Sequence, residues 1–247
     1  GEKMGGMEKE EKLDPAEDIT GEVEMYWRQE LTIYDVRVVE KKGILLNEKE
    51  FLPHEVVYRL PPQISDAGTR VEQVRRDLER LVRMGVNAIR LEGTGSGAER
   101  QNCYEVRAFY RLCRRGGFLT GDLWIRPENL PVYRGLPGET TCQALLAADG
   151  RTLTERYYYY QAKWSSEPVL YPVLSTLHRQ ENGLLSLTIY SNQKKVVLYV
   201  DGLLFLFQTA ASGDPEFIFE DIPVEKLPLH LAVEAGNLSI SLTVTKL

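Results

Sequence analysis

Val71-Glu-Gln-Val-Arg-Arg-Asp-Leu-Glu-Arg-Leu-Val-Arg-Met-Gly-Val-Asn-Ala-Ile-Arg-Leu91 is the stretch from which the fold can be read. Val71, Val74, Leu78, Leu81 and Val82 recur at helical spacing, and this predicts a helix over Val71–Met84 with that stripe inward. Arg75, Arg76, Asp77, Glu79 and Arg80 are then expected on the outer face. Gly85 supplies the residue at which such a helix stops, and Val86–Leu91 reads as a short strand. Downstream lie a glycine-rich loop (Gly93, Gly95, Gly97) and a second helix near Glu99–Arg114, striped by Val106, Phe109, Tyr110 and Cys113. Gly116-Gly117 ends it, and Phe118-Leu-Thr120 opens another strand. Strand, helix and strand at this spacing form a βαβ unit, right-handed by strong precedent.

Upstream, Leu31-Thr-Ile-Tyr-Asp-Val-Arg-Val-Val39 alternates as a strand does, and Gly43–Phe51 reads as a hairpin turning at Asn47-Glu48-Lys49. Residues 1–22 hold few large apolar side chains and read as a disordered acidic tail. After Pro127 the chain is turn-rich to about residue 155, including Asp149-Gly150. From Tyr157 onward the sequence reads as strands. Leu185, Leu187 and Ile189 alternate, as do Leu229, Leu231, Val233 and Ala235, with turns at Asp201-Gly202, Gly213-Asp214-Pro215 and Gly236-Asn237. About seven short strands in roughly 90 residues suit an immunoglobulin-like β-sandwich. The expected organisation is mixed α+β: tail 1–22, strands with a partial (β/α) barrel over 23–127, a linker over 128–156 and the sandwich over 157–247.

Composition narrows the function. The 247 residues carry 30 basic and 36 acidic side chains, a net charge of −6. Ten acids against four bases fall within residues 1–30, so the remainder is neutral. With no basic stripe to meet phosphates, nucleic acid is not an expected partner. Cys103, Cys113 and Cys142 lack metal-ligand or disulfide-framework spacing, so neither a metal nor a cofactor is expected. The start shows no apolar signal segment, although a chain opening on Gly1 need not preserve its native start. The stretch Val196–Phe207 is too short to span a bilayer. A cytoplasmic, non-membrane protein is the expectation.

These segments, in this order, resemble glycoside hydrolase family 2, the β-galactosidase and β-glucuronidase group. Arg75–Arg90 is similar to the family's "D-x-x-L-x-K-x-x-G-x-N-A-I-R", its first barrel helix and second strand. Val36–Leu52 resembles the strand and hairpin that close the barrel floor, and Phe109–Asp122 the next helix and strand. Ala147–Trp164 is similar to the barrel's exit, "D-x-x-x-x-P-K-x-A-Y-Y-x-Y-Q-x-x-W". Ile189–Gly202 resembles "V-Y-S-N-x-x-x-V-E-L-x-x-N-G" of a later sandwich domain.

The resemblance implies carbohydrate metabolism and β-linked sugars, cleaved in that family by two glutamates. Such a retaining pair must stand about 5–5.5 Å apart. Only 13 residues, Pro127 to Glu139, separate the third strand from the barrel's exit, whereas a whole barrel takes roughly 250. Both catalytic glutamates are therefore expected to be missing and the chain unable to hydrolyse β-glycosides alone. Arg90, Glu92 and Asp122, at the carboxyl ends of the expected strands, are the candidate substrate-binding residues. Arg90 and Asp122 pairing with each other or facing solvent is the plainer alternative. A non-catalytic carbohydrate-binding or protein-interaction module on the sandwich is the rival function, with Tyr157–Tyr160 and Trp164 as a stacking platform. Alternating tyrosines on a sandwich strand are the plainer reading of that run. Open barrel edges would also favour a homo-oligomer that covers them.

Overall fold

A computed structural model describes residues 4–9, 31–39, 43–61, 66–92, 102–120, 130–136 and 144–247. The chain divides into two compact units, Gly1–Pro53 and His54–Leu247. In the first, strands β1 (Met4–Lys9), β2 (Leu31–Val39), β3 (Gly43–Leu46) and β4 (Lys49–Glu50) form one antiparallel sheet in chain order. The hairpin turns at Asn47 and Glu48, both with positive φ (48° and 66°), as a tight two-residue connection requires. Strand β1 lies inside the stretch expected to be a disordered tail. Its Met4-Gly-Gly-Met7 segment carries no charge and pairs its backbone with β2, a contribution that side-chain composition does not reveal.

The second unit begins with β5 (Glu55–Tyr58), α1 (Ala67–Met84), β6 (Ala88–Leu91), α2 (Asn102–Arg115) and β7 (Leu119–Thr120). Strands β8 (Val132–Arg134) and β9 (Ala144–Leu146) and helix α3 (Glu155–Trp164) follow. The strands form a parallel sheet in the order β7-β6-β5-β8-β9. The chain thus winds outward from β5 to β7, then returns to the other flank of β5. Val56, Tyr58, Ile89, Tyr133 and Leu145 of the strands share one core with Val74, Leu78, Leu81 and Met84 of α1, Phe109 and Cys113 of α2, and Tyr157 of α3. All three helices therefore cover one face.

Helix α1 ends at Met84 as expected but starts at Ala67, four residues before Val71. Asp66 caps it, accepting from Thr69 N at 3.0 Å. It stops at Gly85, where Val86 N–H reaches Leu81 O and Gly85 N–H reaches Val82 O, each at 3.0 Å, a Schellman closure. Two positions on its face differ from expectation: Asp77 is buried and Val82 is half exposed. Asp77 shares the 74–77–78–81 stripe, and its carboxylate finds enough donors there to be buried.

A larger difference is α3. Tyr157–Tyr160, read as the start of the sandwich, are helical. Tyrosine favours strands where it fits a half-buried pleat, but here packing against the helical layer outweighs that preference. Tyr157 and Ala162 are buried, while Tyr158, Tyr160 and Trp164 pack on the same core.

The remaining seven strands match the number expected: β10 (Leu170–Arg179), β11 (Leu185–Ser191), β12 (Lys195–Val200), β13 (Leu203–Thr209), β14 (Glu216–Ile222), β15 (Leu229–Ala235) and β16 (Leu238–Val244). They form antiparallel sheets β10-β11-β14 and β13-β12-β15-β16, whose inner faces share a second core. The alternating residues of β11 and β15 supply it, with Leu185, Leu187, Ile189, Leu229, Leu231 and Val233 at 1% exposure or less. Among the described residues no helix is long and apolar enough to cross a membrane.

Gly85 has φ +90°, and a Cβ there would stand 2.4 Å from Trp164 O. Gly85→Ala is expected to destabilise by about 3 kcal/mol or more, left-handed strain adding to overpacking. Gly117, with φ +77° and open space around it, should cost only about 1–2 kcal/mol as Ala. Urea unfolding of the two variants checks the difference.

Candidate functional site

In parallel α/β sheets, ligands favour the carboxyl ends of the strands where the winding reverses, here between β5 and β8. Arg59, just after β5, and Arg134, the last residue of β8, meet there. Arg59 Nη1 donates to Arg134 O at 3.1 Å, and Arg134 Nη1 donates to Arg59 O at 3.0 Å. Arg59 also holds Glu92, with Nη2 2.6 Å from Oε2. Each guanidinium bridges two chain segments, and a fork of planar donors suits that task.

Beneath them lies a buried polar network centred on Asp77. Its Oδ2 accepts from Tyr58 OH at 2.7 Å and Arg134 Nη2 at 3.0 Å, and its Oδ1 accepts from Tyr133 OH at 2.7 Å. Arg80 adds a donor to Tyr133 OH at 3.2 Å. Burial, followed by the Asp77 charge, drives the Tyr58 and Tyr133 hydroxyls well above the ordinary phenol range. Both are donors locked to one acceptor rather than groups ready to exchange protons. Burial also raises the Cys113 thiol far above its usual value, so it stays protonated and unreactive.

Of the three residues expected to meet substrate, Arg90 and Glu92 have partners on or just after β5. Arg90 Nε stands 3.2 Å from Glu55 Oε1, with the side chains 12% and 0% exposed. Glu92 pairs with Arg59 near the strand's opposite end, so the two reach different residues. Asp122 lies outside the described residues, as do the Gly93–Gly97 loop and Cys142. The sequence reading missed Glu55, Tyr58, Asp77, Tyr133 and Arg134. Asp77 alone carried a signal, since an acid within an apolar helical stripe must find partners.

The aromatic run has its own geometry. Tyr158 stacks on Tyr171 of β10 with centroids 3.9 Å apart, and Tyr159 meets Tyr190 of β11 edge-on at 5.4 Å. Trp164 stacks on His54 at 5.0 Å and touches Tyr160 at 4.6 Å. Of the five rings considered for sugar stacking, Tyr158 and Trp164 therefore each have a face covered by another ring of the protein. Among the described residues no cluster of His, Cys, Asp or Glu could hold a metal ion.

Comparison with solved structures places this fold beside glycoside hydrolases. An FMN-binding β-glucuronidase from Faecalibacterium prausnitzii L2-6 superposes with TM-score 0.59 at 13% identity, covering 90% of this chain and 61% of that one. A β-glucuronidase from Bacteroides uniformis gives 0.61 at 12% identity over 86% and 48%. A putative β-galactosidase from Bacteroides fragilis gives 0.54 at 10% identity over 87% and 58%. The chain thus spans about half to three-fifths of the length of these proteins. No protein-family model matches it, and no curated protein matches it in sequence.

Asp77→Ala, which leaves two phenols and Arg134 buried without their acceptor, is expected to cost about 3–5 kcal/mol, measured by urea unfolding. A second test uses Tyr157, whose hydroxyl donates to Arg80 O at 2.6 Å and whose pKa burial pushes up to about 12. The unfolded chain loses this proton near pH 10. The stabilisation is therefore complete below pH 10 and falls away as the pH rises towards 12. Tyr157→Phe should flatten that part of the stability profile.

Proposed function

We propose that this chain is a glycoside hydrolase family 2-like protein of carbohydrate metabolism, shortened in its catalytic barrel and unable to cleave β-glycosides alone. One observation carries the reading. Among the described residues, the short strands β8 and β9 are the only strands between β7 and the Ala147–Trp164 segment that resembles a barrel's exit. In a full barrel, strands four to eight occupy that interval and carry the glutamates the family uses. On this reading β5, β6 and β7 correspond to the first three barrel strands and β9 to the last. Strand β8 bridges the gap, and β10–β16 form an immunoglobulin-like sandwich. The pairing of Glu92 with Arg59 and of Arg90 with Glu55 supports the same conclusion, because these charges already have partners.

The test is turnover of 4-nitrophenyl β-galactoside and 4-nitrophenyl β-glucuronide by the purified chain. Release of nitrophenol no faster than in buffer is expected with both. Turnover lost on Glu92→Gln would overturn the proposal. Saturable sugar binding abolished by Tyr158→Ala or Trp164→Ala would instead favour a carbohydrate-binding module.

A further inference from the structure

The surface strand β13 reads Leu203-Leu-Phe-Leu-Phe-Gln-Thr209 and lies at the edge of its sheet. Leu203, Leu204, Leu206 and Phe207 are 75%, 61%, 42% and 52% exposed. The other three edges of the two sheets carry features that discourage pairing. Strand β10 has Pro172, His178 and Arg179, β14 has Glu216, Glu220 and Asp221, and β16 alternates Ser239, Ser241 and Thr243. Strand β13 has neither charge nor proline, and an exposed apolar edge of this kind is a template for another strand. Register places Phe207 beside Val197 and Leu204 beside Tyr199, on the outward face of the sheet. Ile218, half exposed on β14, extends the patch around the corner where Gln208 Nε2 donates to Ile218 O at 2.6 Å.

We propose that β13 is the contact through which two copies of this chain associate. A second copy is the occupant because antiparallel pairing of a strand with itself across a two-fold axis is self-complementary in backbone and side chains alike. The strand itself carries no charge, and the Lys195 ammonium beside it on β12 is held 4.3 Å from the Phe207 ring centroid. The register shift near Leu198–Tyr199 turns Phe205 onto the core and interrupts the ladder. Leu206–Thr209 is therefore left to pair by backbone, while Leu204 and Phe207 pack face to face. The four side chains present roughly 400 Å² per copy, about half of what a standard stable interface buries per partner. The dimer is accordingly concentration-dependent rather than permanent. It differs from oligomerisation through the edges of the parallel sheet, and it does not rest on any glycosidase ancestry.

Sedimentation velocity of the full chain over roughly 5–500 µM tests this. The mass should move from monomer towards dimer. Leu204→Lys and Phe207→Lys should each weaken association at least about tenfold, with unchanged circular dichroism and thermal midpoint. Ser241→Lys on the β16 edge should leave association intact. A monomer throughout would overturn the proposal, as would a dimer indifferent to both β13 variants or weakened equally by Ser241→Lys. Having two independent β13 variants keeps the result readable should one fail to fold.

Discussion

The carboxylate of Asp77, buried between a helix and a parallel sheet, is the constraint on which the α/β unit depends. An ionised group in that position is tolerated only when its oxygens are fully engaged. Tyr58, Tyr133 and Arg134 meet that need, from the carboxyl ends of β5 and β8. One residue of α1 therefore dictates which two strands lie side by side at the centre of the sheet. Apolar burial alone would specify this weakly, because β8 pairs with β5 at a single ladder position, Val57 with Val132. The polar network provides the specificity that so short a strand lacks.

The same network shapes what the carboxyl ends of the strands can do. In open parallel sheets the point where the winding reverses is normally a crevice, because neighbouring connections leave to opposite sides. Here Arg59 and Arg134 cross it and hold each other's backbone carbonyls. Glu92 balances the first guanidinium and Asp77 the second. Among the described residues, Arg59, Arg134 and Glu92 are thereby committed to internal pairs. The stability of this region and the engagement of Arg59, Arg134 and Glu92 in internal pairs have one origin.

What could be read from the sequence followed how strongly each segment repeats its physical signal. Helix α1 and strands β11 and β15 announce themselves because apolar residues recur at one period over several turns or alternations. Strands β8 and β9 do not, since three residues cannot display a period and their neighbours are rich in turn formers. Helix α3 was hidden for the opposite reason. In Tyr157-Tyr-Tyr-Tyr160 every position has the same character, so neither a two-residue nor a helical period stands out, and strand propensity decided the reading wrongly. Arg90 and Glu92 were correctly placed at the end of a strand by their spacing. Their partners Glu55 and Arg59 were not, because parallel neighbours are joined by long crossovers whose register leaves no trace in local sequence.

Edges complete the physical picture. A closed barrel has none, whereas a five-stranded open sheet exposes two. The outer strand β9 is covered by the chain that follows it: Leu146 bridges Leu153, and Thr154 N–H donates to Leu145 O at 3.0 Å. The returning chain thus protects this flank of the parallel sheet where closure does not. The antiparallel sheets use charge, proline and polar alternation on three of their edges for the same purpose. Strand β13, seven residues long and uncharged, follows none of these rules. An apolar surface strand of that length costs solubility unless something covers it. The contrast with the three other edges of the antiparallel sheets gives the exposure of Leu204 and Phe207 its meaning as a contact.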